Sequence, residues 1–438
     1  MTELNKNYCR PEFPPNLKQK PKIHEVIIKV KNWLKPYWYF TRDLTKPLRL
    51  VLIKLVINLP VSSEVVGPPK GFYKSTQDWI ASCDLSQLAN KEITYTEVYP
   101  GYQIVRSKPK TLERNIHWKF QQEYQHQSPP VFVAVLPEGR VWGKNGTVIT
   151  PDDKVLADVS VEHGVEIPGT SSIHLQWKLP AVYQVDGTVA VLSTAGSDGY
   201  YHWLFDTLPR IEILRRSGIL LDSIDKFIVN SYSLPFQQET LTTLGIPATK
   251  IIESCNYPHI KASRLVVPSL PGYVGNMPDW VCKFLKQEFL PDRIVERSHK
   301  SERLYISRDM AKGRKIVNSC EVTNFLSKLG FKCVVLESLS IAETALLFSA
   351  AEVVLASHGA GLSNLVFCQP GTKVIEIFSP NYVNVLYWAL SNEMNLDYYY
   401  LLGEGKRPTE YTDPNKVREN ILVNLDSLLN LINLADIK

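Results

Sequence analysis

The stretch Ser357-His358-Gly359-Ala360-Gly361-Leu362 constrains this chain more than any other. It follows an apolar run, Val353-Val354-Leu355-Ala356, that reads as a buried strand. It precedes Ser363-Asn364-Leu365-Val366-Phe367, which can open a short helix. A strand that turns through two glycines into a helix leaves backbone N–H groups pointing outward, a ready site for phosphate. Glycine at 359 and 361 lets the backbone approach a pyrophosphate closely, so the expected ligand is a nucleotide diphosphate compound. The same glycines would also suit a tight strand–helix turn with no ligand. After a turn at Gly371-Thr372-Lys373, Val374 to Phe378 reads as the next strand. Glu376 is a lone carboxylate near its C-terminal end, where acids in open α/β sheets often accept hydrogen bonds from ribose hydroxyls. The alternative is a glutamate facing water.

A second block runs from Gly199 to Arg210. As a helix it places Trp203, Leu204, Leu208, Ile211 and Leu214 on an apolar face. His202, Asp206 and Arg210 line up beside it at i, i+4 and i+8. A base, a carboxylate and a cation on one stripe suit a sugar site, where a carboxylate or imidazole takes a hydroxyl proton. A solvated face with an Asp–Arg pair has the same spacing. Pro209 is expected to end or kink the helix.

A third block, Tyr305 to Asn318, starts as a strand and runs into a basic loop in which Arg308, Lys312, Arg314 and Lys315 surround Asp309. Such a loop can neutralise a leaving diphosphate. Asn318 and Glu321 read as a variant capping box. No Asp-x-Asp occurs in the sequence, so metal-free binding of the nucleotide is expected and no cofactor is called for. There is no Walker loop, no Gly-x-Ser-x-Gly elbow and no His-Glu-x-x-His.

The chain has 438 residues, enough for two or three domains, and its 44% hydrophobic content suits ordinary cores. Residues 16–54 carry ten Lys and Arg against Glu25 and Asp43, a net +8; of the total +5, that leaves −3 for the remainder. A body of that charge is not expected to bind nucleic acid. The seven cysteines are scattered with no Cys-x-x-Cys pair, which fits a reducing compartment better than a disulfide framework or a zinc site. No secretory signal is visible. The apolar stretch Leu48 to Pro60 is too short to span a membrane. The basic, aromatic segment 30–59 can lie on an anionic membrane surface or pack as an amphipathic helix on the main fold. The expectation is a cytoplasmic protein that such a segment can bring to the inner face of the membrane.

From about 90 to 195, short apolar runs between Gly and Pro read as strands and turns. From about 196, helical stretches alternate with strands at 226–229, 264–267, 303–306 and 332–335, which implies parallel sheets and an α/β class. Leu290-Pro291-Asp292 is a plausible boundary. The final segment, Asp413 to Lys438, reads as an amphipathic helix with Asp413 as N-cap, Pro414 in the first turn and Val417, Ile421, Leu425, Leu428, Leu429 and Ile432 on one face. The expected division is 1–70 as an N-terminal extension, 71–290 as an acceptor-side domain with a β-rich start, 291–405 as a nucleotide-sugar-binding domain and 406–438 as the C-terminal helix.

Taken in order, these blocks resemble the family 61 glycosyltransferases, which include bacterial members associated with capsular polysaccharide synthesis. The matching pieces are Tyr201-His202-Trp203 with Asp206 and Leu208-Pro209-Arg210, then Ser307-Arg308, Arg314 and Asn318, and last His358-Gly359-Ala360-Gly361-Leu362 with Pro370-Gly371 and Glu376. The resemblance covers roughly residues 100–405 and implies a GT-B-like pair of Rossmann-type domains facing a cleft. It also implies an inverting, metal-independent transfer, most often from a UDP-sugar. By position, Arg308, Arg314 and the 358–361 loop would hold the diphosphate and Glu376 the ribose. His202 or Asp206 would lie near the reacting sugar, with Tyr201, Trp203, Arg210 and Asn318 on the acceptor side or in support. The expected partners are a nucleotide-sugar donor and a glycan or lipid-linked acceptor in surface polysaccharide assembly. Asp206 is the expected general base and His202 the second choice. A non-catalytic sugar-nucleotide or glycan-binding subunit is the alternative.

Overall fold

The computed structural model of the protein describes residues 62–83, 93–165, 167–290 and 302–437. The basic, aromatic segment 30–59 and the boundary at Pro291-Asp292 lie outside them. Two sheets form the frame. The larger contains β1 (Gly71–Tyr73), β2 (Thr94–Tyr99), β5 (Val131–Pro137), β6 (Arg140–Trp142), β7 (Thr147–Ile149), β8 (Lys154–Leu156), β9 (Tyr183–Val191), β10 (Lys226–Val229), β11 (Ile251–Glu253) and β12 (His259–Pro268). β3 (Tyr102–Val105) and β4 (Gln125–Ser128) make a separate hairpin.

The larger sheet changes character along its width. From β12 through β9 and β10 to β11 it is parallel, while β5 and β6 pair antiparallel with β12 on the other side. The parallel half begins near the residue where helical stretches begin in the sequence, because parallel strands need crossover helices to return the chain. β5 is buried at every position, as its unbroken apolar run Val131 to Leu136 requires of a strand covered on both faces.

The second sheet is wholly parallel, in the order β14 (Phe331–Val334), β13 (Glu302–Ile306), β15 (Ala351–Ser357), β16 (Lys373–Phe378) and β17 (Asp397–Leu402). One hydrophobic cluster joins the two sheets. It runs from Val133, Ala190 and Phe227 of the first, through Trp203, Leu208, Leu285 and Trp388 of the helices, to Leu304, Val354 and Phe378 of the second. The segment around residue 110 crosses to the second sheet. Lys110 exchanges backbone hydrogen bonds with Tyr398 and Tyr400, and Phe120 packs on Trp388 and Tyr400.

The C-terminal helix is shorter than its apolar spacing suggests. It spans Leu425–Leu434, and its N-cap is Asn424, whose side chain accepts from Ser427 N–H, not Asp413. Upstream, the chain is extended: Ile421 N–H donates to Lys315 C=O at 2.8 Å and Val317 N–H to Ile421 C=O at 2.7 Å. Backbone pairing with the loop after β13 satisfies Ile421, which is 1% exposed, better than a helical face would; Val417 stays exposed. Residues 62–70, expected as the end of an extension, are tied into the larger sheet, with the Ser63 N–H donating to Asp153 at 2.9 Å and Lys70 N–H to Asp153 C=O at 2.7 Å. Among the described residues no helix is long and apolar enough to cross a membrane.

Candidate active site

The site forms where parallel strands of both sheets end. β9 leads into the helical block at 200, β13 into the basic loop, and β15 into the glycine turn. The first block holds a local surprise. Pro209 does not break the helix. Residues Trp203–Thr207 form a π turn, in which Leu208 N–H reaches back to Trp203 C=O at 3.0 Å, and the helix resumes over Pro209–Arg216. The wider turn delivers the proline to a first-turn position, where its missing N–H costs nothing.

On this turn His202 Nδ1 lies 2.7 Å from Asp206 Oδ2. Asp206 is 5% exposed, whereas a quarter of the His202 side chain reaches solvent. Arg210 leaves the stripe. It is fully buried and its Nη1 donates to Val191 C=O and Ser193 C=O, locking the helix to the end of β9. Burial pushes its guanidinium down to about 10. The solvated Asp–Arg face is therefore absent, and Arg210 is a brace. Trp203 is also internal, with its indole N–H donating to Thr240 Oγ1 at 2.9 Å, and Tyr201 is buried against Phe205.

The glycine turn leads into a 3₁₀ helix over Ala360–Phe367. Gly359 has an extended backbone, and its lack of a side chain is required by Arg308: a Cβ at 359 would lie 1.8 Å from Arg308 Nη1. Arg308 Nη2 donates to Gly313 C=O at 3.3 Å, and its Nε is buried without a hydrogen-bond partner among the described residues. Burial, and then the neighbouring Arg314, lowers its pKa. Arg314 holds a left-handed φ of 56°, a strained state for a residue with a Cβ. Its own side chain stabilises it: Nε donates to His358 C=O at 2.8 Å and Nη1 to Val417 C=O at 2.5 Å. Lys315 Nζ bonds the Asp309 C=O, and Lys312 is exposed.

Glu376 neither faces water nor has a free oxygen for a ribose. It is fully buried; His358 Nδ1 lies 2.5 Å from one carboxylate oxygen and the Tyr398 hydroxyl donates to the other at 2.5 Å. Burial lowers the His358 pKa, with Glu376 opposing, so the ring is neutral and its Nδ1–H donates. His358 also stacks on Phe378, with ring centroids 5.4 Å apart. Asn318 does not close a capping box. Its Nδ2 donates to Val423 C=O and its Oδ1 accepts from Val423 N–H, which pins residue 423 to the start of helix Ser319–Lys328.

The two blocks meet through three aromatic residues and one amide. The Tyr200 hydroxyl donates to Asn364 Oδ1 at 2.7 Å, and Asn364 Nδ2 donates to Gly361 C=O at 2.9 Å. Tyr201 lies 6.1 Å from Tyr387, ring to ring, and Tyr387 lies 5.3 Å from His358. The structure thus gathers Arg308, Arg314 and His358 at the turn of Gly359, Ala360 and Gly361, pairs His202 with Asp206 on the block that packs against that turn, and turns Trp203, Arg210, Glu376 and Asn318 inward as supports. Sequence reasoning missed Tyr387, Tyr398 and Asn364. The run Tyr398-Tyr399-Tyr400 on β17 held a usable signal, since strand alternation puts the first and third rings on the face that carries Glu376.

The Glycosyltransferase 61 family model matches residues 200–375, a segment that contains the three blocks except Gly199 at one end and Glu376 at the other. The resemblance read from those blocks holds over that segment, and it supports glycosyltransferase activity with a sugar donor and an acceptor as substrates. No curated protein matches the chain.

Proposed function

We propose that the protein is an inverting, metal-independent glycosyltransferase with a GT-B-like cleft. It would move a sugar from a UDP-linked donor to a glycan or glycolipid acceptor in surface polysaccharide assembly. The observation that carries this reading is that the helical block bearing the His202–Asp206 pair packs on the glycine turn that Arg308 fills, through Tyr200 on Asn364 and through Tyr201 and Tyr387 to His358, beyond the C-terminal ends of parallel strands from both sheets. Ligands of open α/β sheets bind at such edges. In this reading residues 71–290 form the acceptor side and 291–405 the donor side, and the basic N-terminal extension brings the enzyme to the inner face of a membrane.

Arg308 and the N–H groups at 359–362 receive the diphosphate and stabilise the charge that develops as it departs. The unpaired Arg308 Nε–H supports this role, because an incoming anion would satisfy it. Arg314 sets the turn by holding the His358 carbonyl. Glu376 acts at one remove, fixing the His358 ring instead of a ribose. The acceptor oxygen attacks the anomeric carbon from the face opposite the diphosphate. Its bond to carbon forms as the bond from carbon to the β-phosphate oxygen breaks, and its proton passes to His202 Nε2. Asp206 accepts the Nδ1–H and so leaves Nε2 as the nitrogen without a proton. This exchanges the two roles expected from the sequence: the buried carboxylate orients and the more exposed imidazole takes the proton. Metal independence rests on the two arginines at the turn and on the absence of Asp-x-Asp.

A thermal-shift screen against UDP, GDP, CMP and ADP, each with and without EDTA, tests the donor half. Selective stabilisation by UDP that survives EDTA is expected. No shift with any nucleotide would remove the diphosphate role of the turn. Stabilisation by UDP, with no donor turnover beyond that of a His202→Ala variant, would identify a non-catalytic binding subunit instead.

A further inference from the structure

A second imidazole stands beside the first. The His163 ring lies 5.1 Å from the His202 ring, centroid to centroid, tilted by 45°. It comes from a different part of the chain, the loop between the Ser160 turn and Ser172, and lies outside the segment that the family model matches. The loop is built to present it. Val165 N–H closes a turn onto Glu162 C=O at 3.2 Å, and Gly164 takes φ 78° at the third position, where a type II turn needs it. His163 is therefore at the turn's leading corner and exposed. The Glu162 carboxylate accepts from the Ser172 N–H at 2.8 Å and the Ser172 hydroxyl at 2.9 Å, anchoring the turn from behind. The His163 ring also bonds the Ala195 backbone, which fixes its orientation beside His202.

We propose that His163 is an acceptor-contacting residue that hydrogen-bonds a sugar hydroxyl next to the one His202 deprotonates, and so selects acceptors with neighbouring hydroxyl groups. The inference rests on the transferase reading of the His202–Asp206 pair. Two imidazoles this close leave no room for a ring between them, but each can turn a nitrogen toward neighbouring hydroxyls of one sugar ring lying across both. Partial burial, and then the proximity of His202, lowers the His163 pKa, with Asp206 and the Ala195 backbone contact opposing; one ring nitrogen is committed to that backbone, and the other is the one that meets the sugar hydroxyl.

The test is binding of methyl glycosides to the full chain, followed by saturation-transfer NMR in the presence of UDP. The probes are methyl β-galactoside, methyl β-glucoside and their singly deoxygenated analogues. Wild type should bind a glycoside. His163→Ala should weaken that binding roughly tenfold, His163→Gln should restore part of it, and stabilisation by UDP should stay unchanged. In wild type, removing one hydroxyl of a neighbouring pair should cost as much as the Ala variant does, and in His163→Ala the same removal should cost nothing further. Equal glycoside binding by wild type and His163→Ala would overturn the assignment, and so would a wild type that binds no glycoside. Failure of the transferase reading registers separately, as absent UDP stabilisation or absent donor turnover while glycosides still bind.

Discussion

The Arg308 guanidinium occupies the space that a side chain on residue 359 would need, with its Nη1 1.8 Å from where a Cβ would stand. The atom in the way is the far end of a flexible side chain. Gly359→Ala should therefore displace the guanidinium and leave the backbone in place. Apo stability should change by about 1 kcal/mol or less, while UDP affinity should drop roughly tenfold, close to the effect of Arg308→Ala. Calorimetric titration of both variants with UDP checks this. Wild-type affinity in both would take Arg308 out of the donor site.

The His202–Asp206 pair separates turnover from binding. His202→Ala and Asp206→Asn should each lower kcat by roughly 10² to 10⁴ and leave UDP affinity near wild type. The Asn amide would present an N–H to Nδ1 and favour the tautomer whose Nε2 already carries a proton, so it removes the base without removing the ring. Single-turnover kinetics on a UDP-sugar substrate decide the matter; a wild-type rate in His202→Ala would rule that residue out.

Tyr398→Phe deletes one hydroxyl and leaves a Glu376 oxygen buried without its partner. The cost should be about 1–3 kcal/mol of unfolding free energy, measured by urea denaturation. A variant as stable as wild type would mean that the Glu376 carboxylate does not depend on this contact.

Glu393, half-buried at the end of helix Leu386–Glu393, gives a pH signature. Burial pushes its carboxyl from 4.5 up to about 7, with Arg106 opposing and Asp279 reinforcing the rise. A carboxyl raised on folding binds its proton more tightly in the native state. Its contribution is fully present below pH 4.5 and is lost as pH rises through about 7. Glu393→Gln should match wild type in Tm at about pH 4 and exceed it at pH 8. Parallel Tm profiles over that range would refute the shift.

Much of the frame was legible in the chain. The runs at 226–229, 264–267 and 303–306 became strands because short apolar, β-branched segments bounded by turns have few other ways to be buried. The meeting of polar side chains was harder to read. His202 and Asp206 pair at a spacing that a plain helix also offers, but the π turn beneath them depends on how Pro209 is accommodated in three dimensions. Arg210 reads as a surface cation until the carbonyls at the end of β9 are seen to receive it. Glu376 finds Tyr398 only once β16 and β17 are in register, with Val374 opposite Tyr398 and Glu376 opposite Tyr400. The apolar spacing of Val417 and Ile421 fits a helix, yet the backbone groups of residues 315–317 offered a partner that no local pattern announces.

The brace at 417–423 bears on how the protein can be cut. Val417 holds Arg314, and Ile421 and Val423 hold residues 315–318, although they are about a hundred positions away in the chain. A fragment trimmed to the family match at 200–375 would discard this brace along with Tyr387 and Tyr398. Such a fragment would keep every motif residue of the glycine turn and the basic loop, and lose the partners that hold them at their present angles. The smallest functional unit is therefore larger than the smallest recognisable one.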